Sequence, residues 1–132
     1  MKSVAELQAH ARALAQAFGV QLIEDPQFKP DEAFALAGRR VAVCHPIIDE
    51  TTYAVALHEM GHVVAPTGSI RHLTTGNEGN LKREEERAAW AWARHYAIDW
   101  SPAMDAVAQW AEGTYAKPTV KVTKQIDWNQ WK

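Results

Sequence analysis

Apolar residues recur at helical spacing near the start of the chain, at Val4, Leu7, Ala11, Leu14 and Phe18. Because side chains three and four residues apart share one face of a helix, this pattern predicts an amphipathic helix over about residues 4–18. The segment Ser3-Val4-Ala5-Glu6 has the spacing of a capping box, and Gly19 can take the left-handed conformation that often ends a helix. We interpret the apolar stripe as core packing, with no chemistry implied.

Short β-prone runs follow the first helix, at residues 20–23 and 40–43, and proline and glycine punctuate the stretch between them. Residues 33–37 fit either a third strand or a helical turn, and the pattern does not decide between the two. We predict a small antiparallel sheet within residues 20–48.

Three further helices are predicted in the rest of the chain. Asp49 or Thr51 can cap a helix that ends near Val64, and residues 66–80, rich in glycine, threonine and asparagine, are interpreted as a loop. A third helix is dense in alanine and tryptophan, and a fourth begins with Ser101 as cap and proline at the first helical position. The expected organisation is one domain over residues 1–132, with an N-terminal helix (1–19), a small sheet (20–48), three helices (49–64, 81–98 and 101–113) and a tail of open conformation (114–132).

Length and composition agree with a single globular domain. The chain has 132 residues, of which 47% are hydrophobic and 23% charged, a balance typical of folded proteins. The formal net charge is −2, and no cluster of lysine and arginine stands out. Because duplex binding needs a basic face that replaces phosphate counterions, we expect no direct contact with nucleic acid.

Cys44 is the only cysteine, which excludes an internal disulfide and fits a reducing cytoplasm. Polar residues such as Glu6 and Arg12 interrupt any apolar run near the N-terminus, so no secretory signal is expected, and no stretch is long enough to span a bilayer. We therefore expect a cytoplasmic protein that does not engage a membrane, and the sequence favours no particular oligomeric state. Cys44 itself is interpreted as a small buried hydrophobe rather than a nucleophile.

The strongest chemical signal is the segment His58-Glu59-Met60-Gly61-His62 in the predicted second helix. Residues four apart lie one above the other on a helix, so the two imidazoles can share one cation, and neutral imidazole suits zinc. Glu59 lies about 100° round the helix from His58, close enough to take a proton from a zinc-bound water without being a ligand. This spacing predicts a hydrolytic site with one Zn²⁺ per chain.

The simplest alternative is a coincidental pair of histidines, because the motif has only three fixed positions. The context favours a metal site, since apolar residues precede the motif on the same helix. Gly61 points the same way, because a glycine costs about 1 kcal/mol within a helix unless another part of the protein must approach closely.

A catalytic zinc usually has three protein ligands and one open position. One class of zinc protease takes a third histidine ten residues after the first, but here that position is Gly68. A carboxylate on the third helix is the better candidate, because Glu86 shares a helical face with small alanines and would be costly to bury without a partner. Glu85 is the alternative ligand. The competing interpretation of both glutamates is a solvated first turn favoured by the helix dipole.

Between Arg40 and about Ile98 the sequence resembles the ImmA/IrrE family of small bacterial and phage metallopeptidases. The shared order is a short strand, a helix with His58-Glu59-Met60-Gly61-His62, a loop, and a helix whose Glu86-Arg87-Ala88-Ala89-Trp90-Ala91-Trp92-Ala93 is similar to the family signature E-x-x-A-x-x-aromatic-A. The resemblance implies an α+β fold of the zincin type, with a small sheet packed against about four helices. It also implies a single zinc ion held by His58, His62 and Glu86, a gluzincin-like set.

The resemblance further implies a peptidase that cleaves a protein, often a repressor kept by a phage or integrative element. We therefore expect hydrolysis of a peptide bond, with Glu59 as the catalytic base. The alternative is a non-catalytic zinc module that captures a regulator, as an antirepressor or antitoxin-like protein does. Candidates for stabilising the transition-state oxyanion are Arg71 and His72 in the loop and Tyr96 on the third helix.

Overall fold

The computed structural model describes residues 2–65 and 78–116 of the chain. These residues form four helices and three strands, in the order α1 Val4–Phe18, β1 Gln21–Glu24, β2 Ala33–Leu36, β3 Val41–Cys44, α2 Glu50–Val64, α3 Glu78–Tyr96 and α4 Pro102–Ala116. The mixed α+β composition is the one predicted. Within the described ranges, no helix combines the length and the apolar character that crossing a bilayer requires.

α1 begins and ends where its local sequence predicts. The Ser3 hydroxyl accepts a hydrogen bond from the Glu6 amide (3.2 Å), and the Glu6 carboxylate accepts one from the Ser3 amide (3.3 Å), which confirms the capping box. Gly19 has φ 67° and ψ 35°, a left-handed conformation that closes the helix without the steric cost of a Cβ. Four members of the apolar stripe are confirmed as core packing, because Leu7 and Ala11 are buried and Leu14 and Phe18 pack against the core, whereas Val4 is 40% exposed.

The three strands form one sheet in the order β1-β3-β2. β2 and β3 pair antiparallel, with Phe34 opposite Val43, whereas β1 and β3 pair parallel, with Leu22 opposite Ala42. The predicted antiparallel sheet is therefore wrong for one of its two strand pairs. The reason is topological: the short turn Ala37–Arg39 returns the chain beside β2 as β3, which leaves β1 on the opposite edge of β3, running in the same direction.

α2 lies at the centre of the described structure. All of residues 52–61 are buried, because the helix packs against the sheet and α3 and also contacts α1 and α4. Asp49 is confirmed as its cap, since its carboxylate accepts a hydrogen bond from the Thr52 amide (2.8 Å). Packing on several sides places the histidine motif where α3 crosses α2.

α3 is shifted relative to the predicted range of 81–98. It begins at Glu78, inside the predicted loop, and ends at Tyr96. The chain beyond it is held by Ile98, whose amide donates a hydrogen bond to the hydroxyl of Tyr53 on α2 (3.0 Å). The rest of the predicted loop lies outside the described residues.

α4 begins as predicted and ends later. The Ser101 hydroxyl accepts a hydrogen bond from the Met104 amide (3.2 Å), which confirms it as the cap. The helix continues through Gly113 to Ala116, so the predicted end at Gly113 is wrong. A glycine costs a helix only about 1 kcal/mol, which is too little to end it alone. Residues 117–132 of the predicted tail lie outside the described residues.

Candidate metal centre

His58 and His62 lie one turn apart on α2, and their imidazole rings approach each other. Their Nε2 atoms are 3.1 Å apart, and the ring centroids are 4.5 Å apart. This arrangement follows from helix geometry, which places residues i and i+4 on the same face. The two side chains therefore direct a nitrogen at the same small volume.

Glu86, on α3, brings its carboxylate to the same place. Its Oε2 lies 2.9 Å from Nε2 of His58, and its Oε1 lies 2.8 Å from Nε2 of His62. Glu86 is only 8% exposed. Its neighbours differ, since Glu84 is exposed and Glu85 is buried beside it. The distances identify Glu86 as the carboxylate that meets both imidazoles.

The three side chains are arranged so that a cation between them would contact all three. Oε2 of Glu86 lies 2.9 Å from Nε2 of His58, yet this buried oxygen has no assigned hydrogen-bond partner among the described residues. A buried carboxylate oxygen is costly without a partner, and a cation is such a partner. Tetrahedral ligand atoms about 2.0–2.1 Å from zinc lie about 3.3–3.4 Å from one another, within about half an ångström of the separations found here.

Glu59 is a second buried carboxylate at the same site. Its Oε1 lies 3.8 Å from Nε2 of His58, farther than Oε2 of Glu86, which lies 2.9 Å from the same nitrogen. His58, Glu59 and His62 by themselves also offer ligand atoms that all lie within 4.8 Å of one another, a group that could hold a metal ion. Of the two carboxylates, Glu86 is the nearer to Nε2 of His58 and also contacts Nε2 of His62, and we take it as the better ligand.

The local environment shifts the pKa values of these two carboxyl groups in opposite directions. Burial raises the pKa of Glu59, although His58 and His62 act against it. Burial also acts to raise the pKa of Glu86, but its contacts with His58 and His62 outweigh that effect and bring the pKa down to about 2. The site therefore places a carboxylate that stays ionised beside one that takes up a proton more readily, a division typical of sites with two distinct acid–base roles.

The pKa of His62 is raised, whereas burial alone lowers the pKa of a histidine. Burial acts to lower its pKa, but the hydrogen bond with Glu86 and the negative charges of Glu59, Glu86 and Glu85 raise it overall. The electrostatic environment of the site is thus negative, which favours any cation bound between these groups.

Gly61 allows the two helices to come together at this point. A Cβ added to Gly61 would lie 2.6 Å from the carbonyl oxygen and 3.0 Å from the Cα of Ala89 on α3. Ala89 and Ala93 are fully buried, which confirms the predicted close packing of the alanine face against α2. The close approach carries Glu86 to the histidine pair, since Glu86 lies one turn before Ala89 and Trp90 on the same helix.

We expect Gly61→Ala to lower the free energy of unfolding by about 1–2 kcal/mol, because overpacking against a backbone carbonyl outweighs the better helix propensity of alanine. The measurement is urea unfolding of the protein without added metal. Gly38→Ala is the matched control, because a Cβ at Gly38 meets nothing within 4 Å. A Gly61→Ala protein more stable than the wild type would show that α3 does not press on this position.

Of the residues considered for the oxyanion, Tyr96 is the one that the structure describes. Arg71 and His72 lie outside the described residues. Tyr96 lies about 15 Å along the helix axis from Glu86, and its ring packs against Phe18 of α1 with 5.1 Å between centroids. The structure therefore does not bring Tyr96 to the histidine pair.

Cys44 is confirmed as a buried residue of β3. Burial raises the pKa of its thiol to about 12, and the negative charges of Glu24 and Glu59 act in the same direction. Since the thiolate is the reactive form, this cysteine is chemically inert near neutral pH, as expected of a core residue.

Two contacts made by residues of α2 were not predicted from the sequence. The indole of Trp90 stacks on the imidazole of His58, with ring centroids 4.0 Å apart and planes at 21°. The hydroxyl of Tyr53 lies 2.7 Å from Nδ1 of His10 on α1. Position 90 carried a signal, because it lies one turn after Glu86 on the same helical face. The other pair had none, because its members are 43 residues apart in the chain.

Comparison of the chain with models of known protein families, with curated proteins and with solved structures finds no match.

Proposed function

We propose that the protein is a zinc-dependent peptidase of the zincin type that hydrolyses a peptide bond in a protein substrate, with a phage or mobile-element regulator as the substrate class. One observation carries the proposal. Glu86 places its two oxygens 2.8 and 2.9 Å from the facing nitrogens of His62 and His58, and a second buried carboxylate, Glu59, stands 3.8 Å from His58. The resemblance of this segment to the ImmA/IrrE family supports the same function.

In this proposal His58, His62 and Glu86 hold one zinc ion per chain. Two imidazoles and one carboxylate form a donor set that zinc accepts in catalytic sites, where a fourth position stays open for water. The low pKa of Glu86, about 2, keeps its carboxylate in the ionised form that a ligand requires. When bound, the ion supplies Lewis acidity, which acidifies a water molecule and polarises the carbonyl of the scissile bond.

In this proposal Glu59 transfers protons during the hydrolysis of the peptide bond. It takes the proton of the attacking water and returns it to the amine of the leaving group. Burial raises the pKa of Glu59, so this residue accepts a proton more readily than an exposed glutamate does. Because Glu59 follows His58 directly on a rigid helix, its carboxylate stays beside the ligands without any loop movement.

A non-catalytic zinc module that captures a regulator is the second candidate. The burial of His58 and Glu86 favours it, since structural zinc sites are closed by protein. Glu59 argues against it, because a purely structural site has no use for a further buried carboxylate beside its ligands. Peptide cleavage distinguishes the two.

The purified protein, incubated with Zn²⁺ and a peptide library made from bacterial proteins and from phage and mobile-element regulators, is expected to produce new peptide termini detectable by mass spectrometry. A chelator should abolish cleavage and added Zn²⁺ should restore it, because the ligands bind the ion reversibly. The His58→Ala variant, purified in parallel, controls for a contaminating protease. Stoichiometric zinc binding by a wild type that cleaves no peptide would instead favour the capture module.

A further inference from the structure

Trp90 packs its indole flat against the imidazole of His58. The ring centroids are 4.0 Å apart and the planes differ by 21°. Trp90 is 1% exposed and lies four residues after Glu86, so α3 presents the carboxylate and the indole on one face. One helix therefore contacts His58 twice, with Glu86 at Nε2 and Trp90 on the face of the ring.

The second nitrogen of His58 makes no hydrogen bond with any residue that the structure describes. This atom, Nδ1, is buried. In metal sites the second nitrogen of a ligating histidine usually donates a hydrogen bond to a carboxylate, a carbonyl or a water, and this bond sets the orientation of the ring. At His58 the Nε2 side of the ring meets Glu86 and His62, and the face of the ring is held by the aromatic stack with Trp90.

Trp90 is itself held in place by a ring contact with Trp100. The ring of Trp100 meets it edge to face, with 6.5 Å between centroids and 72° between planes. Trp100 is fixed in turn, because its Nε1 donates a hydrogen bond to Asp105 (3.1 Å) and the guanidinium of Arg94 lies 5.7 Å above its ring. These contacts hold the indole of Trp90 in one orientation against the imidazole of His58.

We propose that Trp90 is a positioning residue for the metal site, whose ring face fixes the plane of His58 so that Nε2 points at Glu86 and His62. The inference rests on the proposed zinc site and names what orients one of its ligands. Rotation of the imidazole about its χ2 angle would drive a ring edge into the indole, so the stacked arrangement restricts that rotation. A ligand held in its binding orientation loses less freedom when the ion binds.

The test compares Zn²⁺ affinity, measured by competition with a chelating dye at fixed pH, in the wild type and in variants of the full chain. Trp90→Leu removes the ring, and Trp90→Phe keeps an aromatic face. Trp92→Leu is the matched control, because Trp92 is also buried on α3 but packs against Phe18 and Tyr96. We expect Trp90→Leu to bind Zn²⁺ about 10–100-fold more weakly, the range seen when an outer support of a ligand is lost. Trp90→Phe should recover most of that loss, and Trp92→Leu should bind as the wild type does.

A second measurement does not depend on the stability of the leucine variant. Co²⁺ bound at the site quenches tryptophan emission, and Trp90 is in direct contact with a ligand of the ion. Trp90→Phe should therefore lose a larger share of the quenching than Trp92→Phe does.

Equal affinity of Trp90→Leu and the wild type would overturn the positioning role, and so would equal losses in Trp90→Leu and Trp92→Leu. Equal shares of quenching lost in the two phenylalanine variants would also overturn it. Failure of the zinc site itself gives a different result, because the wild type and His58→Ala would then bind Zn²⁺ equally weakly. That outcome overturns both proposals.

Discussion

Glu59→Gln is expected to lower the rate of peptide hydrolysis by at least about 10²-fold while the protein keeps its zinc, because general acid–base catalysis contributes about 10²–10⁴-fold. The amide has the size and shape of the carboxylate but accepts no proton near neutral pH. Since Glu59 lies 3.8 Å from His58 and Glu86 lies nearer, its charge is not needed as a ligand. The measurement pairs the cleavage rate of a peptide identified from the library with the zinc content determined by mass spectrometry.

Glu84→Gln is the control for this substitution. It makes the same chemical change at an exposed glutamate of α3 and should leave both quantities unchanged. A Glu59→Gln protein with full peptidase activity would refute the assigned base, and one that lost its zinc would show Glu59 to be a ligand.

Removal of either kind of ligand is expected to lower zinc affinity by at least about 10²-fold, because three protein groups share the binding free energy. His58→Ala deletes one imidazole, and Glu86→Gln removes the charge of the carboxylate that contacts both histidines. Equilibrium dialysis against Zn²⁺ of the wild type beside these two variants measures the effect. Comparable zinc in all three would rule out the site.

The same variants also test whether bound Zn²⁺ stabilises the folded protein. A ligand that binds only the folded protein adds about 2.7 kcal/mol at a free concentration of 100 Kd, so Zn²⁺ should raise the Tm of the wild type by several degrees. His58→Ala and Glu86→Gln should show no such rise at the same concentration, whereas Glu84→Gln should behave as the wild type. A rise of equal size in all proteins would place the bound ion elsewhere.

Some features of the fold could be predicted because they depend on residues that are close together in the sequence. The capping box of Ser3 and the left-handed Gly19 bound α1 as predicted, because both ends are set by residues within one helical turn. The approach of His58 and His62 follows equally from the 3.6-residue period of a helix. The choice of Glu86 had a local basis too, since it shares the alanine face of α3, although Glu85 beside it is buried as well.

Other features depend on partners that are distant in the chain. An antiparallel partner was predicted for β1, but β1 pairs parallel with β3, because the tight turn joins β2 to β3 and β1 reaches β3 only through a longer connection. The end of α4 was also misplaced, because an unfavourable Gly113 can be overridden by the rest of the helix.

The helical period of the sequence was enough to predict that two imidazoles one turn apart share a helix face with a glutamate beside them, since helix geometry is the same in every protein. The crossing of Ala89 at Gly61 could not be predicted in this way, and it brings Glu86 to both imidazoles and Trp90 against His58. The contrasting pKa shifts of Glu59 and Glu86 are decided there as well, because burial and neighbouring charges exist only once α2 and α3 have packed.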